Sequence, residues 1–123
     1  MKNLDAWLPD KLAARVEQLH QWLVHGIPGV KLPVVLYIHC MGGCDRTGEM
    51  AGAYALRWLK MSWAQMNAWN KQDCYGGKQP FGCGNYYATH WYCYHLNAKY
   101  GMKLDCPANF ICNGPPSCPG AIP

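Results

Sequence analysis

The stretch "VVLYIHCMGGCDRTGEM", residues 34–50, decides the reading of this chain. Its first five residues form a continuous β-branched, aliphatic and aromatic run, which predicts a strand buried on both faces. Gly42 and Gly43 then mark a turn. The residues that follow predict a helix with Ala51, Tyr54, Ala55, Trp58 and Leu59 on one face. A strand that ends in a glycine turn and a helix start makes an anion site. Backbone N–H groups point inward there, and the helix N-terminus adds roughly half a positive charge. Arg46 supplies a planar fork that matches two oxygens of a phosphate. Cys40 sits at the bottom of this electropositive cup, where a thiol ionises more readily. A thiolate beneath a bound phosphate is a nucleophile facing phosphorus.

His39, Cys40, Gly43, Arg46 and Thr47 together read H-C-x-x-G-x-x-R-T. That pattern resembles the signature of the cysteine-based protein-tyrosine and dual-specificity phosphatases. The resemblance covers residues 34–70 well and the flanks only by order of elements. It implies that Cys40 attacks phosphorus and forms a phosphocysteine. Arg46 and the backbone amides of Met41, Gly42, Gly43, Cys44, Asp45 and Arg46 are then expected to hold the equatorial oxygens. By the same resemblance Thr47 stabilises the departing thiolate in the second step, and His39 fixes the loop and lowers the thiol pKa.

Such an enzyme also needs an acid, which later serves as a base. The family carries it in an upstream W-P-D loop. Here "AWLPDK", residues 6–11, offers Trp7, Pro9 and Asp10, with Leu8 as an insertion. Asp10 is the expected general acid. Asp5 is a second candidate, and Asp10 also fits as the cap of the helix it precedes. Asp45 departs from the usual tyrosine-phosphatase pattern, and its D-R-T ending is similar to myotubularin and Sac-type phosphoinositide phosphatases. Both a phosphotyrosine-type protein substrate and a phosphoinositide are therefore admissible. Cys44 has two readings: a thiol that caps Cys40 reversibly under oxidation, or a small packing residue. Glu49 either orients the Arg46 guanidinium or is an acid favoured in the first helical turn.

Composition bounds these readings. At 123 residues the chain makes one domain with a modest core. The net charge of +4 comes from scattered lysines and arginines, with no basic run, which argues against a nucleic-acid partner. The longest apolar run, Leu32 to Ile38, is too short for a transmembrane segment. Of 8 cysteines, two lie in the opening stretch and the rest form an even set in the second half. They predict an oxidising compartment and up to three structural disulfides, hence a secreted or lumenal location. The opening "MKNLDAWLPDK" has no signal-peptide features and argues for the cytoplasm instead.

Around the motif, Leu12, Val16, Leu19 and Leu23 predict a helix from Asp10 to about His25, stopped by "GIPG" at 26–29. "SWAQ" at 62–65 is a capping-box pattern opening a further helix, with Met61 and Met66 at staple positions. Residues 73–85 read as a loop and residues 86–100 as a last helix ending at Gly101. Its aromatics Tyr86, Tyr87, Trp91, Tyr92 and Tyr94 read as packing faces. His90, Cys93 and His95 include no C-x2-C pair and no shared helix face, so neither zinc nor another cofactor is expected.

One strand cannot make a sheet. The expected fold is thus α/β, a phosphatase-like strand–phosphate-loop–helix core with helices packed on a partly missing parallel or mixed sheet. Residues 1–104 would form the C-terminal portion of such a domain, and residues 105–123 a Pro/Gly/Cys-rich tail. The missing strands would come from an absent front of the domain or from a second chain. The expected function is phosphomonoester hydrolysis. The alternative is an inactive, disulfide-braced secreted binding or structural protein that retains the phosphatase loop.

Overall fold

Helices carry this fold. A computed structural model describes residues 11–72, 74, 77, 81–109 and 112. It contains α1 (Leu12–His25), α2 (Asp45–Trp58), α3 (Trp63–Asn70) and α4 (Cys83–Tyr100). Among the described residues there is no strand. The expected α/β core with its sheet is therefore corrected to an all-helical arrangement.

The reason lies in the ladder rather than in the residues. A strand exists only when its N–H and C=O groups pair with a neighbour. Among the described residues, no backbone–backbone hydrogen bond involves residues 31–43. The run 34–38 lies over the helices with alternating exposure: Val34 and Leu36 are half-buried, while Val35 and Tyr37 are each 87% exposed. It was expected to be buried on both faces and is covered on one.

Helix α2 is the hub and packs against α1, α3 and α4. Its sequence suits that place, because Gly48, Gly52, Ala53 and Ala55 are buried and let neighbours approach closely. A Cβ at Gly52 would lie 2.7 Å from Asn70 Nδ2 and 2.9 Å from Met66 Sδ. The buried face of α2 therefore runs through 48, 52, 53, 55 and 56, whereas Leu59, expected on it, is 53% exposed. Leu12, Val16, Leu56, Met66, Phe81, Tyr92 and Leu96 fill the core between the four helices. Each large apolar side chain buried there contributes roughly 1.5–3 kcal/mol.

The ends of the helices follow local chemistry. Ser62 caps α3 in a complete capping box with Gln65, and Met61 packs against the core that Met66 helps to form. Gly101 closes α4 in the left-handed conformation, φ +61°. Helix α4 starts at Cys83, three residues before its expected start. Its aromatics do pack inward: the rings of Trp63, Tyr86, His90 and Tyr94 form one contiguous cluster. His90 is fully buried, its Nε2 donates to the Pro107 carbonyl, and burial pulls its pKa down. None of the helices, over the described residues, is long and apolar enough to cross a membrane.

Three disulfides brace this small core: Cys44–Cys74, Cys83–Cys112 and Cys93–Cys106. With separations of 30, 29 and 13 residues, each removes unfolded-state entropy worth about 3 kcal/mol in the loop-closure account. Residues 104–107 are strapped to the helices as well. Leu104 exchanges two hydrogen bonds with the Asn97 side chain, and the Asp105 carboxylate accepts from the backbone N–H groups of Trp63 and Ala64. That carboxylate sits at the positive end of α3.

Candidate functional site

The glycine turn forms just before α2, as its residues require. The backbone comes up through Ile38 and His39, turns at Cys40, and re-enters a helix at Asp45. Gly43 makes the turn possible with φ +71°, a conformation that an L side chain rarely adopts. Cys40 is half-buried. The Thr47 hydroxyl faces its sulfur, and the backbone N–H groups of Thr47, Gly43 and Gly42 point at it too. The Thr47 contact misses strict hydrogen-bond geometry, and among the described residues that buried hydroxyl has no hydrogen-bond partner.

These donors pull the Cys40 thiol from its ordinary 9.0 down to about 7, with Thr47 contributing most and partial burial opposing. About half the sulfur is thiolate at neutral pH. The signature spacing explains the effect: residues 42, 43 and 47 are those that a tight turn into a helix brings back over residue 40. Arg46 lies in the first turn of α2 with its side chain exposed, on the same helix end. Loop and helix end thus come together at the Cys40 sulfur, and Arg46 stands in the same first turn of α2.

Other expected site residues take different places. His39 is exposed and stacks on Tyr37, with ring centroids 5.5 Å apart, and it is not among the groups that depress the thiol. Met41 is 97% exposed at the rim of the loop. The Asp45 side chain accepts a 2.6 Å hydrogen bond from the Gly82 N–H, which ties the loop to the start of α4. That contact gives the departure from the usual pattern at this position a structural role. Glu49 is buried and accepts from the Asn85 amide. Asp10, Asp5, Trp7 and Pro9 lie outside the described residues.

Cys44 corrects one expectation outright. It does not cap Cys40; it is the residue just before α2 and is bonded to Cys74. A second link runs parallel, because Asn70 Nδ2 donates to the Gly48 carbonyl at 2.9 Å. Residues Asn70, Cys74, Gly82 and Asn85 thus hold the helix side of the loop from three directions. Only the cysteine count hinted at any of them in the sequence. Beneath the 34–38 run, Leu36 and Ile38 line an open apolar groove of about 180 Å³ with Leu23, Met50 and Trp69. The run that leads to Cys40 lines that open groove, whereas the helix side of the loop is tied by covalent and polar bonds.

No family model, curated protein or solved structure matches this chain.

Proposed function

We propose that this chain hydrolyses phosphomonoesters through a phosphocysteine intermediate. One observation supports the reading above the rest. The Cys40 sulfur meets three backbone N–H groups and the Thr47 hydroxyl at the N-terminus of α2, beside Arg46. In the first step the thiolate forms an S–P bond while the ester P–O bond breaks. The departing oxygen takes a proton from the acid, for which Asp10 is the sequence's candidate. Arg46 and the helix end offset the charge on the equatorial oxygens. In the second step water attacks phosphorus, the acid residue takes back a proton, and the thiolate leaves toward the Thr47 hydroxyl. The substrate is a phosphotyrosine-type peptide or a phosphoinositide. The three disulfides support an oxidising compartment for this chemistry.

The test is phosphate release from a small aryl phosphate by the parent chain and by Cys40→Ser. The expected result is turnover that vanishes in the serine variant. A folded parent with alkylatable Cys40 and no turnover overturns the enzyme reading. The second reading, a disulfide-braced binding protein that retains the loop, then takes its place. It draws on the uncovered 34–38 run, which leaves the Cys40 side of the site without a backbone ladder.

A further inference from the structure

The sequence sets two demands against each other. Six paired cysteines call for an oxidising setting, and a thiolate nucleophile calls for protection from it. The nearest threat lies inside the loop, where Cys44 follows Cys40 by four residues. A cysteine so placed is the natural second thiol for an intramolecular disulfide.

We propose that the Cys44–Cys74 disulfide guards Cys40: it withdraws the other thiol of the anion loop into a structural bond, so the site keeps a free cysteine while its neighbours are oxidised. Among the described residues Cys40 is the free cysteine, and the other six are paired. Cys44 lies within the arc whose amides, from Gly42 and Gly43 on one side and Thr47 on the other, gather at the Cys40 sulfur. Its partner is well placed to hold it. Cys74 is only 7% exposed and follows α3, whose Asn70 is bonded to the Gly48 carbonyl of α2. Asp45 and Glu49 anchor the same stretch of α2 to Gly82 and Asn85. The bond therefore joins elements that polar contacts already hold together, with Cys74 buried and Cys44 half-buried.

The exchange chemistry defines what is prevented. The Cys40 thiolate attacks a small disulfide such as oxidised glutathione, forms a mixed disulfide, and expels one glutathione thiolate. If Cys44 were free, its thiolate would attack the Cys40 sulfur of that mixed disulfide and expel the second glutathione. The product would be Cys40–Cys44, favoured by its intramolecular effective concentration. With Cys44 bonded to Cys74 the second step has no attacking thiol among the described residues. The mixed disulfide is then returned to Cys40 thiol by glutathione itself.

Three proteins test this: the parent, Cys74→Ser, and Cys44→Ser/Cys74→Ser. Each is equilibrated in a glutathione redox buffer, alkylated, digested and mapped by mass spectrometry. The expected result is alkylated Cys40 in the parent, a roughly tenfold drop with a Cys40–Cys44 peptide in Cys74→Ser, and recovery in the double variant. Both variants lack the brace, so a difference between them does not arise from lost stability. The proposal is overturned if Cys40 stays alkylatable in Cys74→Ser, if the double variant fails to recover it, or if the parent pairs Cys40 with any cysteine, including Cys118. The proposal rests on the phosphatase reading for its purpose alone. The mapping uses no substrate, so an inactive chain and an unguarded thiol are separate results.

Discussion

Replacing Thr47 by valine removes one donor from the Cys40 sulfur while keeping the shape of the side chain. The parent thiol lies at about 7 against an ordinary 9.0, and the Thr47 hydroxyl is the largest of the groups responsible. Three backbone N–H groups remain in the variant. Assigning the hydroxyl about half of the net fall puts the variant near 8. At pH 7 the thiolate fraction then drops from about one-half to about one-eleventh, roughly fivefold. A higher pKa also makes each thiolate about threefold more nucleophilic. The rate at pH 7 therefore falls only about twofold, and the alkaline plateau rises about threefold. The midpoint is the decisive quantity. It is measured by iodoacetamide alkylation of the Cys40 peptide from pH 5 to 10, quantified by mass spectrometry. A parent midpoint near 9, or a Thr47→Val midpoint equal to the parent's, refutes the argument that this loop activates the thiol.

Asp105→Ala removes the acceptor for two N–H groups at the start of α3 and is expected to cost about 1.5–3 kcal/mol, read from urea unfolding with the disulfides intact. Gly52→Ala gains about 1 kcal/mol of helix propensity but pushes Asn70 off the Gly48 carbonyl and crowds Met66. A net loss of about 1–2 kcal/mol is expected in the same assay, and a stabilised variant contradicts the close approach of α2 and α3. Burial keeps His90 neutral in the folded chain below its ordinary 6.5, whereas the unfolded chain takes up the proton as pH falls through that value. Stability contributed by this residue is thus present above about pH 6.5 and declines below it. Unfolding midpoints measured from pH 7.5 to 5 should show a shallower acid slope in His90→Gln, and an unchanged slope counts against the mechanism.

The helices were legible because their signals are local. The spacing of Leu12 and Val16, the Ser62–Gln65 box and Gly101 each act within a turn or two, and each appears where expected. The turn before α2 was legible for the same reason: Gly43, Cys40 and Thr47 lie within eight residues, and their geometry is closed by one turn and one helix start. The sheet was not. Val34–Ile38 has every local mark of a strand, but strand formation depends on a distant partner that no local pattern specifies, and none lies among the described residues. The pairing of Cys44 failed for a related reason. Proximity in sequence favours Cys40, whereas the fold brings Cys74 alongside from 30 residues away. Disulfide connectivity is a tertiary fact. The Asp45–Gly82 contact was equally hidden, because an acid in a first helical turn is already explained by the helix dipole.

The uncovered 34–38 run also bears on how the protein behaves in concentrated solution. From Leu32 to Ile38 no charged residue interrupts the sequence, no backbone ladder pairs the run among the described residues, and Val35 and Tyr37 face the solvent. Such a segment is a template for edge-to-edge growth into cross-β fibrils, since each added copy offers the next one a fresh edge. Lys31 flanks it as a charged gatekeeper. A lysine at position 35 or 37 would add a charge within the run itself, at sites that are 87% exposed and contribute nothing to the helical core.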